Sequence, residues 1–176
     1  PFCTQMLADL GAEVIKIEEV QGGDYARWMA PKGKSDGGMF QALNRNKKSM
    51  RLDLRSQAGK EILLKLAETA DVLVEQFRPG VLDKLGVGYK DLKAVNPRII
   101  VCAITGYGQD GPYRDLAGHD INYLNVAGIN DTTGLYHDRP VSSGIQIADV
   151  AGGSLWAAFS ILGAIIAREK TGRGQF

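Results

Sequence analysis

The chain has 176 residues, 44% of them hydrophobic and 23% charged, the balance of a soluble globular domain long enough to bury a core. Twenty-one Lys and Arg against twenty Asp and Glu leave a net charge of +1, so no global field gathers nucleic acid, and any anion site must come from a local cluster. Two cysteines, Cys3 and Cys102, are too few for a disulfide framework and read as reduced thiols of a cytoplasmic protein, and with two isolated histidines they form no metal-ligand spacing.

In chain order, residues 2–10 suit a short helix stopped by Gly11, and Ala12–Glu18, "AEVIKIE", a strand. Residues 20–47 read as one long irregular loop with Gly22, Gly23, Gly33, Gly37 and Gly38. Ser49–Leu54 alternates as a strand. Ser56 then caps a helix with the stripe Ile62, Leu63, Leu66, Ala67 and Ala70. Asp71–Phe77 is a buried strand, turned by Pro79-Gly80 into short helices at 81–85 and 89–95. Pro97 ends these, and "RIIVCAIT" is the next strand. Val150–Ala167 carries no charge over 18 residues, the threshold of a spanning helix. Leu155, Ala158, Phe159, Leu162 and Ile166 recur at helical spacing, so the segment is expected to be a buried core helix, with no membrane role. Strands alternating with helices, several apolar on both faces, predict an α/β, Rossmann-like fold. It would have an open, mostly parallel sheet and helices on both faces.

Gly106-x-Gly108-x-x-Gly111 spells a dinucleotide fingerprint after a strand. A nucleotide loop needs a helix opening at its third glycine. "PYRDLAG" has no helical stripe, and Asp131, about where the ribose-binding acid belongs, lies in turn-like "INDTTG". The motif therefore reads as a tight turn at the C-terminal edge of a strand, where open α/β sheets bind ligands. A nicotinamide-dependent dehydrogenase is the outside reading.

Several blocks together resemble the class III CoA-transferase (CaiB/BaiF) family, which includes α-methylacyl-CoA racemases. They are "NRNKKSMRLDLRS", "ADVLVEQFRPGVLDKLGVGY", "NPRIIVCAITGYGQDGPY", "GHDINY" and "REKTGRGQ", in family order along the whole chain. The resemblance implies an acyl-CoA substrate, with coenzyme A as part of the substrate and no prosthetic group. It also implies an interlocked homodimer of a protein about twice this length. Residues 1–176 would then be the N-terminal part of a large CoA-binding domain, with the first strand, a small domain and a C-terminal return lying outside them. The opening "PFCTQMLADLGAEVIKIE" and closing "REKTGRGQF" read as cut elements, in keeping with that expectation.

His119 opens "GHDINY", and Asp149 in "IADVAGG" matches the family's catalytic aspartate. Inverting a carbon acid needs a base on one face, an acid on the other and a stabilised enolate between them, which a neutral imidazole and a carboxylate can supply. A transferase needs an ionised carboxylate as nucleophile, and Asp149 suits that role too. It would also cap the following helix, whose N-terminus would lower its pKa. Gly152 and Gly153 would admit a thioester close to the backbone. Asp120 either orients the imidazole or caps the next helix.

Arg45, Lys47, Lys48, Arg51 and Arg55 crowd into eleven residues, a candidate phosphate cluster or simply a solvated face. The resemblance places CoA contacts at Leu52, Asp53, Leu54 and Arg55 and at the strand end "EQFRPG". There Arg78 would meet phosphate, and Gln76 and Phe77 the adenine. Tyr123 would line the pantetheine path, while His137 reads as surface.

Two features resemble transferases or blur the subtype. "KIEEVQGGD" has Glu19 about where racemases place an Arg, and Gln76 replaces an Asn frequent in transferases. His119 stands where transferases usually carry Tyr. Weighting that block gives a 2-methylacyl-CoA racemase or epimerase as the first reading. A CoA-transferase with an aspartyl intermediate at Asp149, or an inactive CoA-binding fragment, is the alternative.

Overall fold

A computed structural model describes residues 1–29, 31 and 36–176; Gly33 of the expected loop lies outside the described residues. Helix α1, Phe2–Asp9, leads through Gly11 at φ +100 into strand β1, Val14–Glu18. A left-handed residue there favours glycine, as the sequence predicts. The described residues of the stretch 20–47 are more regular than expected, with a 3₁₀ turn at Tyr25–Arg27 and helix α2 at Gly38–Asn44. Strand β2, Lys47–Arg51, starts two residues early and ends three early. Helix α3, Gln57–Ala67, is capped by Ser56, whose hydroxyl accepts from Gly59 N–H at 3.0 Å. Strand β3 spans Val72–Glu75, helices α4 and α5 span Val81–Leu85 and Tyr89–Val95, and strand β4 spans Ile100–Ala103. Asn96 is extended (φ −143, ψ 96), as a residue before proline must be. Its amide donates to the Ala67 and Ala70 carbonyls, satisfying the end of α3.

The strands form two parallel pairs. β1 pairs with β2 from Val14↔Lys47 to Glu18↔Arg51, and β3 pairs with β4 from Val72↔Ile100 to Glu75↔Ala103. The parallel sense and the α/β class are as expected. One continuous sheet is not formed among the described residues, because no strand lies between β1 and β3, which bound a shared cavity of about 1460 Å³.

Helices cover both faces of β3–β4, and the side-chain period of two explains how. Val72, Val74 and Cys102 pack against Cys3 of α1 and Ala157, Ala158 and Ile161 on one face. Leu73 and Val101 pack with Ala67 of α3 and Leu92 of α5 on the other. The tail runs beside β4, where Val101 N–H donates to the Gln175 carbonyl at 2.9 Å. Gly174 is required there, since a Cβ would stand 1.9 Å from the Ile99 carbonyl oxygen.

The long apolar segment starts earlier than predicted, as a π-helix at Ala148–Leu155 that continues into α7, Trp156–Thr171. Of the predicted stripe only Ala158 is buried. Leu155, Phe159, Leu162 and Ile166 are exposed, whereas Ala157, Ala158, Ile161 and Ala164 face the core. The small residues let α7 approach α1 and β4 closely, which a count of bulky side chains overlooks. Residues Ala148–Thr171 are long and apolar enough to cross a membrane by length and composition, and 22% of their most apolar stretch is buried in this fold. At the far end Arg168, buried to 6% exposure, bonds Asp71 Oδ1 at 2.8 Å and ties α7 to the start of β3.

Candidate active site

The C-terminal ends of β3 and β4 open onto the cavity, and the glycine motif follows β4 directly. No helix opens at Gly111; the next begins at Asp120. Gly108 and Gly111 adopt φ +87 and +82, so the motif is a turn, as its sequence predicts. Gly106 has a different role. A Cβ on it would stand 2.3 Å from Cε1 of Tyr123, and one on Gly118 would stand 2.7 Å from the same atom. Tyr123 therefore sits where the two ends of the 106–118 segment meet. Its hydroxyl donates to the Gly118 carbonyl at 2.5 Å, and its ring packs edge-on against Tyr107 at 5.1 Å. The segment is closed into a fixed lead-in that delivers His119 to the N-terminus of helix α6, Asp120–Val126. Asn122 completes the start of α6: its Oδ1 accepts from His119 N–H at 2.9 Å, while its own N–H donates to the His119 carbonyl at 2.8 Å.

Asp149 is not the cap of its helix. It is the second residue of the π-helix, behind Ile147 as cap, and its peptide N–H donates to Asp120 Oδ1 at 2.9 Å. Asp120 thus neither caps α6 with its side chain nor orients the imidazole; it reaches across to the segment carrying Asp149. Helix-end lowering of the Asp149 pKa is overturned as well. Burial pushes its carboxyl up, the Asp120 carboxylate pushes it further, and His119 opposes them. Burial also raises the Tyr123 phenol, helped by Asp149 and Tyr107.

His119, Asp149, Gly152 and Gly153 all line the large cavity, although they come from two different elements. Gly152 has open space where a Cβ would be, so a ligand can approach its backbone.

The expected CoA contacts divide. Leu54, Gln76, Phe77, Arg78 and Tyr123 line the same cavity. Phe77 N–H is held at 2.6 Å by Glu75 Oε2, which fixes the turn carrying these side chains. Leu52 is instead in the core beside Leu63 and Leu82. The Asp53 carboxylate accepts from Arg55 N–H at 2.9 Å and shapes the entry to α3. The basic cluster is largely tied down. Arg45 pairs with Asp9 at 2.5 Å and Lys48 with Glu13 at 2.9 Å. Lys47 donates to the Pro1 and Leu43 carbonyls, and burial lowers its amine to about 8. Arg45, Lys47 and Asp120 are not on the cavity wall. His137 is exposed, as read from sequence.

Sequence reasoning missed the cluster that ties Glu18, Asp24, Arg27, Asp36 and Ser49 together. Glu18, 4% exposed, accepts from Arg27 Nη2 at 2.7 Å, Arg27 Nε at 2.8 Å, Ser49 Oγ at 2.6 Å and Asp24 N–H at 2.9 Å. Arg27 also pairs with Asp36 at 3.0 Å and lies 3.7 Å over the Phe40 ring. A Glu at a strand end followed by Gly, Asp and Arg was the available signal, and it does not reveal which partners the fold supplies.

Comparison with known proteins adds a family. The model of CoA-transferase family III matches residues 1–176. Human succinyl-CoA:glutarate CoA-transferase is 41% identical over 177 residues, covering 100% of this chain and 40% of that protein. Formyl-CoA:oxalate CoA-transferase of Rhodopseudomonas palustris strain TIE-1 is 43% identical over 176 residues, covering 99% of this chain and 41% of that protein. The crystal structure of a CaiB/BaiF family protein from Brucella suis superposes with a TM-score of 0.92 at 41% identity, covering 99% of this chain and 47% of that one. The chain spans about 40% of the length of these curated relatives and just under half of the solved chain.

Proposed function

This chain belongs to CoA-transferase family III, and on that premise we propose that it is part of an enzyme moving CoA between carboxylic acids, with Asp149 as the nucleophile. Members of the family act on CoA thioesters and need no prosthetic group. The observation that carries the reading is the cavity wall shared by Asp149, His119 and the 76–78 turn, which sets a carboxylate beside the expected thioester path.

The chemistry follows from a carboxylate meeting a thioester. Asp149 attacks the acyl carbonyl, the C–S bond breaks, and CoA leaves as thiolate, forming a mixed anhydride between Asp149 and the donor acyl group. The thiolate then attacks the aspartyl carbonyl, giving an aspartyl-CoA thioester and the free donor acid. The acceptor carboxylate repeats the two steps in reverse order and restores Asp149. Backbone amides near Gly152 and Gly153 would donate to the oxyanions, with His119 as a neighbouring donor.

Relatives named as CoA-transferases support transfer over the racemisation first read from the His119 block. Their named acids are dicarboxylates or formate, so a small dicarboxylic acid is the proposed acceptor class. An interlocked homodimer remains a proposal. The test is to incubate the full-length protein with a 2-methylacyl-CoA or succinyl-CoA and a free dicarboxylic acid in heavy water. CoA appearing on the added acid without deuterium at the α-carbon supports the reading. Deuterium incorporation without transfer supports a racemase and overturns it.

A further inference from the structure

We propose that Asp120 is a positioning residue of this site: its carboxylate takes the peptide N–H of Asp149 and so holds the first turn of the π-helix on the cavity wall beside His119. The inference rests on the reading in which Asp149 carries the acyl group. Three observations lead to it. The bond spans 29 positions and joins the helix that presents His119 to the π-helix that presents Asp149. Between those elements, residues 127–147 contain only one short regular piece, the 3₁₀ turn Asn130–Thr132, so the connecting backbone does not by itself fix where the two meet. Finally, Asp120 is 9% exposed, and a carboxylate is rarely placed so deep without a partner to hold. The N–H it takes belongs to the first turn of a helix, where such groups have no intrahelical acceptor.

The same bond fixes the electrostatics. The charged and titratable groups near the Asp149 carboxyl are His119, which precedes α6, and Asp120 and Tyr123 of α6, with Cys3 of α1 on the same cavity wall. Asp120 is the one that opposes ionisation of Asp149; His119 favours it.

The test uses the full-length enzyme with Asp120→Ala, Asp120→Asn and, as control, Asp149→Asn. Asp120→Ala removes the acceptor and is expected to lower kcat for CoA transfer at least about tenfold, with KM for the acyl-CoA changed less than about threefold. Asp120→Asn keeps an acceptor oxygen but no charge. It is expected to recover most of that loss and to move the acid limb of the kcat profile to lower pH. Wild-type kcat in Asp120→Ala overturns the proposal. So does an Asp120→Asn variant no better than alanine with an unmoved acid limb. If alanine prevents folding, seen as a lost thermal transition, the asparagine pH profile decides alone. Activity surviving in Asp149→Asn would instead remove the reading of Asp149, whatever Asp120 does.

Discussion

The peptide nitrogen of Asp149 lies 2.9 Å from Oδ1 of Asp120, so the acid beside His119 touches the backbone of the candidate nucleophile and not the imidazole. The two acids therefore have separate tasks. Asp149 lines the cavity and, in the proposed reading, reacts; Asp120 is buried and holds the Asp149 backbone. Their mutual repulsion also raises the pKa of the reacting carboxyl.

That repulsion sets a pH dependence. Transfer needs Asp149 ionised, and burial together with Asp120 lifts its pKa above that of an ordinary aspartate. Activity is expected to fall on the acid side at a pH above the usual aspartate value of about 3.9. A kcat/KM profile of the full-length enzyme checks this, and an acid limb at or below the ordinary value contradicts it.

Gly106 and Gly108 are predicted to behave differently although both belong to one motif. Gly106→Ala drives a methyl into the Tyr123 ring and is expected to lower kcat by about 10²-fold by shifting the lead-in to His119. Gly108→Ala meets no atom within 4 Å but strains a backbone at φ +87. It is expected to cost about 1 kcal/mol of stability, with little change in kcat. Steady-state kinetics and urea unfolding of both variants separate the two effects.

Glu18 is held at about 2, well below its ordinary 4.5, first by Arg27. A depressed carboxyl stabilises the fold fully above its unfolded value and loses that contribution as pH falls through the folded one. Glu18→Gln is expected to cost about 2–4 kcal/mol at neutral pH, because it leaves Arg27 short of its main partner. The gap between variant and wild type should close between pH 4.5 and 2. Thermal unfolding across that range checks both the size and the sign.

On α7 the core side is predicted to matter more than the bulky side. Ile161 is 1% exposed and Phe159 66%. Ile161→Ala is expected to cost about 2–5 kcal/mol and Phe159→Ala less than about 1 kcal/mol. Equilibrium urea unfolding measures both.

Much of this was legible in the chain. Helices α4 and α5, the Ser56 cap and the parallel β3–β4 ladder follow from local signals: a proline after α5, a serine before an amphipathic stripe, and short apolar runs. The meeting of His119 and Asp149 on one cavity rested on family resemblance, since nothing local joins residues 30 positions apart. What stayed hidden depends on partners distant in sequence. Arg45 and Lys48 look like a phosphate cluster until Asp9 and Glu13 fold against them. Apart from Ile161, the apolar inner face of α7 is made of alanines, so hydrophobic bulk points to the wrong side. The order at Asp24–Arg27 comes from Glu18, which lies outside the expected loop.

The central claim is that Asp149 becomes covalently loaded. The most direct measurement is mass spectrometry of peptides from the full-length enzyme, quenched while turning over succinyl-CoA, with hydroxylamine added to convert an aspartyl thioester or anhydride to its hydroxamate. A hydroxamate on Asp149, absent without the thioester, is the predicted result. An unmodified Asp149 during active CoA transfer would contradict the account.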